Sequence, residues 1–336
     1  MSFRSYSLEN DNPGLADPDG NGARHLAEAI QRADAILIGA ASGLSAAAGF
    51  RHYYDADAGF LAHFGDLQAK HGYNSSFDGL YHRYANHRER WAFIARIVMT
   101  VVDAPTGAPY LDLGAIVEGR TYHALTTNQD TQFEHVVPAE RISAIQGDWR
   151  FFQCSRPCHD GLYDAVEPSR LIVEALDQNL ECPEDLIPRC PRCGAEMEPW
   201  VRSPVFLEGA KYADEYRKVN EFIAAHQNER LLFLEVGVGR MTPMFIQEPF
   251  WNLTYQLPRS RYLTLNPRHA RIPAALGERG DAIVADAAAV IGGARRILTG
   301  QEPADTPADI ITGRWGFAAA HPAFAPTTDP AVGVPA

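Results

Sequence analysis

The stretch AILIGAASGLSAAAG, residues 35–49, decides the fold that this sequence predicts. It begins with a short apolar run, Ala35 to Ile38, which is too brief for a helix and fits a buried strand. Small residues follow at once, and they allow a ligand to approach the backbone closely at a strand-to-helix turn. The stretch therefore predicts a buried strand, a ligand-binding turn and the start of a helix.

Apolar runs of similar brevity recur along the chain, separated by helical or irregular segments. They occupy residues 122–127, 142–145, 231–236 and 262–265. Helical spacing of apolar residues predicts helices over 23–33 and 80–102. Because ligand-type residues follow several of the short runs, the sequence predicts an α/β fold. Its core would be a doubly wound, Rossmann-type parallel sheet that binds its ligand at the carboxyl edge.

The 336 residues carry 30 Lys and Arg against 42 Asp and Glu, a formal charge of −12, and 46% of them are hydrophobic. This composition indicates a globular protein with one large or two modest domains. The negative charge, without a basic patch, argues against a nucleic-acid partner. No apolar run is long enough to span a membrane, and the first residues lack the apolar core of a secretory signal, so we expect a cytoplasmic protein with no membrane partner.

Five cysteines lie between residues 154 and 193, and four of them form two knuckles, CSRPC at 154–158 and CPRC at 190–193. Two close thiolate pairs are typical of tetrahedral zinc, and four thiolates leave no open position for catalysis. We therefore predict a structural zinc ion in a small inserted domain. The predicted ligands are Cys154, Cys158, Cys190 and Cys193. Cys182 is expected to be a free thiol, and His159 is either a substitute ligand or a loop histidine.

Three short motifs follow the predicted strand ends in order, ahead of the knuckles. They are Gly43-Leu44-Ser45, Thr127-Asn128-Gln129-Asp130 and Gln146-Gly147. In this order they resemble the sirtuin family, which has a Gly-Ala-Gly-x-Ser loop that holds NAD, a Gln-Asn-x-Asp segment at the nicotinamide ribose, a His-Gly with the catalytic histidine, and a four-cysteine zinc module. The resemblance covers residues 23–295 and includes PVFLE at 204–208, GVG at 237–239 and Asn266 after a strand.

The resemblance implies NAD as co-substrate and roles for named residues. The catalytic residues it implies are Asn128, which positions the nicotinamide ribose, Asp130, which orients or stabilises charge, and Gln146, which hydrogen-bonds a ribose hydroxyl. The cofactor-binding residues it implies are Ala41, Ser42, Gly43, Ser45, Gly49, Arg51, Gln129, Gly237, Val238, Gly239, Asn266 and Asp281. Among these, Ser45 and the backbone of 41–43 would receive the diphosphate, and the glycines at 237 and 239 would let the ribose approach.

Two departures from the family pattern resemble one branch of it. Position 146 is Gln where deacylating sirtuins carry the histidine base, and Gln cannot take a proton near neutral pH. The family's Pro-Asp-Phe-Arg run is replaced by AGFRHY at 48–53. Together with EVGVGRMTP at 235–243, these changes resemble the macrodomain-linked microbial branch, class M sirtuins. That likeness implies transfer of ADP-ribose to a lipoylated glycine-cleavage-H-like carrier, reversed by a partner macrodomain hydrolase.

The predicted organisation of the chain has five parts. They are a flexible arm over 1–21, a first Rossmann segment over 22–150 with a helical lid or insert at about 50–110, a zinc-binding small domain over 151–205, a second Rossmann segment over 206–300, and a Pro/Ala-rich tail over 301–336.

Three other functions stay open at this point. An NAD-dependent protein-lysine deacylase would need a base other than Gln146, for which His135 is a candidate. A noncatalytic sensor would report NAD or ADP-ribose through the lid over 50–78. An NAD hydrolase would let water capture the same cation in a site that is not closed.

Overall fold

The computed structural model describes residues 17–320, which form two compact units. The first unit takes in residues 17–50, together with 106–165 and 188–307. The second takes in 51–105, 166–187 and 308–320. Within the described part of the chain, no helix is both long and apolar enough to cross a membrane.

Strands and α-helices alternate along much of the described chain. The strands are β1 Ala35–Ala40, β2 Tyr122–Thr126, β3 Ile142–Ala144, β4 Gly147–Cys154, β5 Tyr163–Asp164, β6 Met197–Val201, β7 Leu231–Val236, β8 Arg261–Leu265 and β9 Gly280–Ile283. The helices are α1 Asn21–Arg32, α2 Ser42–Ala47, α3 Ala58–His71, α4 Ser76–Tyr81, α5 His87–Val102, α6 Ala108–Val117, α7 Val166–Glu174, α8 Ala210–His226, α9 Gln247–Gln256, α10 Ala287–Thr299, α11 Ala308–Thr312 and α12 Gly316–Ala319.

A six-stranded parallel sheet forms the centre of the first unit, in the order β3-β2-β1-β7-β8-β9. Every residue of β1 and of β7 is buried, as in parallel sheets that are covered on both faces. In chain order these strands follow the arrangement of a doubly wound Rossmann fold. The predicted fold class is therefore confirmed. The sequence did not predict β9, because Ala282 and Ile283 are its only apolar residues besides a glycine.

Helices complete the layers around this sheet. Val219 of α8 and Phe250 of α9 lie in one hydrophobic cluster with Leu37 of β1 and Phe233 of β7. The helix α10 packs against both α1 and α6. The core of the first unit is therefore formed by alternate residues of the strands and the apolar faces of the helices that follow them.

Two glycines meet where the winding of the sheet reverses, between β1 and β7. The N–H of Gly43 donates to the carbonyl oxygen of Gly237 at 3.0 Å. A Cβ added to Gly43 would lie 2.6 Å from the Cα of Gly237, and one added to Gly237 would lie 2.6 Å from the Cα of Gly43. Any side chain would therefore push the two loops apart at the point where doubly wound sheets bind ligands.

A smaller antiparallel sheet, ordered β5-β4-β6, also belongs to the first unit. The chain enters it at Gly147, whose φ is 89° and where a Cβ would lie 2.0 Å from the carbonyl oxygen of Trp200. Glycine is therefore needed there, and the turn places Gln146 directly between β3 and β4. The sheet carries the first predicted metal ligand, because β4 ends at Cys154.

The second unit is helical and consists of α3, α4, α5, α7, α11 and α12. Within it, α5 packs against α3 and α7. The single helix predicted over 80–102 is wrong, because α4 ends at Tyr81 and α5 begins at His87. Asn86 starts the new helix, since its side chain accepts a hydrogen bond from the N–H of Glu89 at 3.0 Å and caps α5.

The units group residues differently from the predicted domain boundaries. Residues 166–187 of the predicted zinc-binding domain belong to the second unit, because α7 packs on α5. The predicted tail contains α11 and α12, and Trp315 between them is buried and donates to the carbonyl oxygen of Thr100 at 2.8 Å. In the predicted arm, Asp17 accepts hydrogen bonds from the first N–H groups of α1. Residues 1–16 and 321–336 lie outside the described residues.

One carboxyl group is fully buried in the first unit, at Glu235 on β7. Its oxygens accept hydrogen bonds from Gln247 Nε2 and Thr264 Oγ1, each at 3.1 Å, and from the hydroxyl of Tyr262. Burial raises the pKa of Glu235 to about 7, although these three donors act in the opposite direction. The folded state therefore favours the protonated acid.

Replacing Glu235 with Gln tests this buried acid. A pKa raised on folding gives stability that is complete below the unfolded pKa and is lost as pH rises through the folded pKa. Between pH 5 and 8 we expect wild type to lose up to about 3 kcal/mol of unfolding free energy that Glu235→Gln retains. Urea unfolding across this pH range measures it, with Glu118→Gln at an exposed position as control. Parallel pH profiles for wild type and Glu235→Gln would contradict the assignment.

Candidate functional site

The loops that follow β1 and β2 are joined by hydrogen bonds at the carboxyl edge of the sheet. The N–H of Thr127 donates to the carbonyl oxygen of Ala40 at 3.0 Å. The side chain of Asn128 then reaches the carbonyl oxygen of Ala41 at 3.1 Å from its Nδ2. The structure thus brings the predicted small-residue loop and the predicted Asn128–Asp130 segment together.

Asp130 is held in one orientation by donors from different elements. One carboxylate oxygen accepts from the hydroxyl of Ser45 at 2.5 Å and from the hydroxyl of Tyr110 on α6 at 2.7 Å. The other accepts from the N–H of Gln132 at 3.2 Å. Because Ser45 donates its only hydroxyl proton to Asp130, it can donate to a phosphate oxygen only after rotating away. Its predicted contact with the diphosphate stays a prediction.

The amide of Asn128 has a defined orientation. Its Nδ2 donates to the carbonyl oxygen of Ala41 and to the hydroxyl oxygen of Tyr110, both at 3.1 Å, and its backbone N–H donates to Thr126 Oγ1 at 2.9 Å. The hydrogen-bond network determines this orientation, because both partners of Nδ2 act as acceptors. Within the described residues, Oδ1 is the atom of this amide that remains available to a ligand.

Gln146 combines an anchored backbone with an unpaired side-chain donor. Its carbonyl oxygen accepts from Gln129 Nε2 at 2.7 Å and from the N–H of Arg202 at 2.9 Å. Its side chain is buried, and Nε2 has no hydrogen-bond partner within the described residues. A buried donor without a partner costs free energy, so such groups often face a ligand that the structure does not contain.

Sequence reasoning missed two residues of this site. Tyr110 contacts both Asn128 and Asp130, and nothing in the helical pattern of α6 distinguishes it from an ordinary core tyrosine. Thr131 follows Asp130 with a φ of 56° and a buried Oγ1 that has no partner within the described residues. A threonine in the left-handed region is strained, and such strain collects at functional sites.

The predicted residues after β7 and β8 form a second hydrogen-bonded group. Asn266 Nδ2 donates to the carbonyl oxygen of Val238 at 2.9 Å, while its Oδ1 accepts from two backbone N–H groups that follow it. The side chain of Asn266 therefore supports the loop itself. Gly237 makes room for the backbone of Gly43, whereas Gly239 faces open space. A ribose contact for these residues stays a prediction.

Four further predicted cofactor residues have fewer described contacts with the rest of the site. Ser42 begins α2, and Gly49 follows it with its N–H donating to Ala46. Asp281 lies on the edge strand β9 and pairs with His25 at 2.7 Å. Arg51 belongs to the second unit, where its N–H donates to the carboxylate of Asp57 at 3.1 Å. The described contacts do not link Asp281 or Arg51 to the network around Asp130.

The four predicted zinc ligands converge in the first unit. The Sγ atoms of Cys154, Cys158, Cys190 and Cys193 all lie within 4.8 Å of one another. Cys154 and Cys193 are 3.6 Å apart at Sγ, and Cys158 and Cys190 are 3.7 Å apart. A tetrahedral ion with Zn–S bonds of about 2.3 Å requires sulfur separations of about 3.8 Å, so the cluster fits zinc. Such an ion would hold β4 against the segment that leads into β6.

His159 is a hydrogen-bond partner of this cluster. Its Nδ1 accepts from the N–H of Gly161 at 2.8 Å, which leaves the proton on Nε2. That Nε2 lies 3.3 Å from the Sγ of Cys190 and donates to it. Cys182 lies in the second unit, where it is buried and donates to the carbonyl oxygen of Pro183 at 3.2 Å.

Zinc content tests the cluster. We expect one zinc ion per chain, lost in Cys193→Ser together with much of the thermal stability, because structural zinc contributes directly to folding. Elemental analysis and thermal unfolding with and without a chelator measure both. The matched control, Cys182→Ser, should keep its zinc. A metal-free wild type, or Cys193→Ser with full zinc, would contradict the site.

Comparisons with known proteins bear on the identity of this chain. No protein-family model matches it. A protein ADP-ribosyltransferase from Staphylococcus aureus (strain Mu50 / ATCC 700699) is 34% identical over 286 residues, which are 84% of this chain and 90% of that protein. A probable bifunctional ADP-ribose hydrolase/ADP-ribosyltransferase from Fusarium oxysporum f. sp. cubense is 28% identical over 234 residues. That match covers 66% of this chain and 38% of the Fusarium protein.

Solved structures show the same fold. A Sir2 homologue in complex with NAD superposes with a TM-score of 0.54 at 14% identity, over 82% of this chain and 94% of its own. Sir2 bound to an acetylated peptide superposes with a TM-score of 0.53 at 15% identity, over 82% and 97%. The resemblance to sirtuins is thus confirmed at the level of fold, and the Staphylococcus protein supplies the closer relationship. The chain belongs to the protein ADP-ribosyltransferases with the sirtuin fold, a family of NAD-dependent enzymes.

Proposed function

We propose that this protein transfers ADP-ribose from NAD to a protein side chain and releases nicotinamide, using Asn128, Asp130 and Gln146. The observation that carries the proposal is the buried, unpartnered amide nitrogen of Gln146, at the position where the resemblance to deacylating sirtuins places a histidine base. An amide donates and accepts hydrogen bonds but does not take a proton near neutral pH. Deacylation, which needs such a base, is therefore disfavoured.

The chemistry of transfer suits the groups that are present. Breaking the bond between nicotinamide and ribose leaves the electron pair on nicotinamide and positive charge on the ribose. The carbonyl oxygen of Asn128 and the carboxylate of Asp130 offer fixed negative charge or dipoles toward such a centre. Gln146 Nε2 offers a hydrogen bond to a ribose hydroxyl. Fixed groups of this kind lower the barrier without any proton transfer.

The acceptor must then be reactive without help from a base. A side chain that is already deprotonated at neutral pH can attack the ribose directly, whereas a neutral hydroxyl would have to lose a proton during attack. His135, the alternative base, hydrogen-bonds through Nδ1 to Thr106 Oγ1 at 3.0 Å, and burial lowers its pKa. The hydrogen bonds described for its side chain do not include Asn128 or Asp130, although the charge of Asp130 acts on its pKa in the direction opposite to burial. These features support transfer over deacylation.

We further propose class M character, with a lipoylated glycine-cleavage-H-like carrier as acceptor and a macrodomain hydrolase as functional partner. The Fusarium relative supports the pairing, since its name joins an ADP-ribose hydrolase and an ADP-ribosyltransferase in one protein. The motifs AGFRHY at 48–53 and EVGVGRMTP at 235–243 support the same branch by resemblance.

Biotinylated NAD tests the acceptor. We expect the wild-type protein to label the lipoylated carrier, and to label the same carrier without lipoate much less. The label is read on a blot, and nicotinamide release is followed in parallel. Nicotinamide release without labelled carrier would replace the proposal with NAD hydrolysis or another acceptor. NAD binding without nicotinamide release would leave a sensor.

Gln146→Ala tests the catalytic assignment. We expect nicotinamide release to fall about 10- to 100-fold, because a buried donor at the reacting ribose is lost, while the affinity for NAD changes little. Initial rates and calorimetry separate the two effects. Gln227→Ala, an exposed glutamine that follows α8, is the control and should behave as wild type. A Gln146→Ala variant with the wild-type rate would remove Gln146 from the mechanism.

A further inference from the structure

Tyr110 is a fully buried tyrosine whose hydroxyl joins three residues of the site. The hydroxyl oxygen lies 2.7 Å from Asp130 Oδ2, 3.1 Å from Asn128 Nδ2 and 3.4 Å from Ser45 Oγ. The ring packs edge-on against Phe133, with centroids 5.0 Å apart. The residue reaches the site from α6, a helix that contributes none of the predicted site residues.

Each hydrogen bond of this network has a defined donor and acceptor. Tyr110 has one hydroxyl proton and donates it to Asp130, so its oxygen accepts from Asn128. Burial, followed by the charge of Asp130, raises the pKa of Tyr110 well above its usual value, so the hydroxyl keeps that proton. Ser45 also donates to Asp130. The carboxylate thereby orients the tyrosine hydroxyl, and the hydroxyl in turn faces Asn128 as an acceptor.

We propose that Tyr110 is a positioning residue of the transfer reaction, which fixes the amide of Asn128 so that Oδ1, and not Nδ2, faces the nicotinamide ribose. The inference rests on the proposed function. Both Nδ2 protons are used, one by Tyr110 and one by the carbonyl oxygen of Ala41. A flipped amide would place Oδ1 against two oxygen atoms, which is unfavourable.

The orientation matters because positive charge develops on the ribose. The carbonyl oxygen of an amide is the negative end of its dipole and stabilises such a centre, whereas the NH2 group opposes it. A ribose hydroxyl can also donate to Oδ1. Tyr110 therefore acts on the reaction through Asn128 and Asp130, by means of its hydroxyl group. None of its described contacts indicates that it touches NAD.

Tyr110→Phe removes the hydroxyl and keeps the ring that packs on Phe133. We expect the rate of nicotinamide release to fall about 10- to 100-fold, as for loss of a hydrogen bond to a charged partner, with the affinity for NAD nearly unchanged and the Tm lowered modestly, because Asp130 and Asn128 each lose a partner. Tyr84→Phe is the matched control, because it removes a hydroxyl that donates to Gly79 at 2.9 Å in the second unit. A Tyr110→Phe variant with the wild-type rate would overturn the inference.

A double-mutant cycle separates positioning from general support of the fold. If Tyr110 acts through Asn128, the double variant Tyr110→Phe/Asn128→Ala should be little slower than Asn128→Ala alone. Losses that multiply would overturn the inference. Asn128→Asp gives an independent test if Tyr110→Phe does not fold. It places a carboxylate oxygen against Ala41 O, so it should be at least as slow as Asn128→Ala, and near-wild-type activity would overturn the orientation.

The readout keeps this inference distinct from the proposed function. Nicotinamide release does not require the carrier to be identified, so a wild type that cleaves NAD but labels no carrier contradicts the proposed acceptor and leaves the test of Tyr110 intact. A wild type that binds NAD and never releases nicotinamide contradicts the proposed function, and the role of Tyr110 falls with it.

Discussion

The close approach of the Gly43 and Gly237 backbones is the constraint on which the site depends. Neither position has room for a side chain, so the loops after β1 and β7 meet where the winding of the sheet reverses. Ala41, which follows β1, then presents its carbonyl oxygen to Asn128, and α2 presents the hydroxyl of Ser45 to Asp130. A strand order and one backbone contact thus bring together residues that are far apart in the chain.

The electrostatics of the site follow from this arrangement. Three groups face the same edge of the sheet. They are the carboxylate of Asp130, which accepts from two hydroxyls, the carbonyl oxygen of Asn128, whose amide nitrogen is bound to Tyr110, and the neutral amide donor of Gln146. Neither amide takes a proton near neutral pH, while the carboxylate of Asp130 and the carbonyl oxygen of Asn128 suit a transition state with positive charge on a ribose. The zinc cluster lies in the smaller sheet, where a closed set of thiolates serves structure.

Local patterns in the sequence predicted much of this architecture. Short apolar runs predicted the central strands because buried parallel strands are apolar on both faces, and the knuckle spacing predicted the cysteine cluster. What escaped prediction depends on partners far away in the chain. In the sequence, Tyr110 resembles an ordinary core tyrosine. Its role is apparent only in the folded structure, where α6 lies beside Asp130. The break before α5 depends on one capping residue, Asn86, within an otherwise continuous apolar pattern.

We propose that a sirtuin fold without a histidine base here transfers ADP-ribose to a protein and does not deacylate. The most direct measurement incubates the wild-type protein with NAD, a lipoylated carrier and an acetyl-lysine peptide in one vessel and reads all products by mass spectrometry. We expect free nicotinamide, a carrier that has gained the mass of ADP-ribose, and a peptide that keeps its acetyl group. A deacetylated peptide with O-acetyl-ADP-ribose and an unchanged carrier would contradict it.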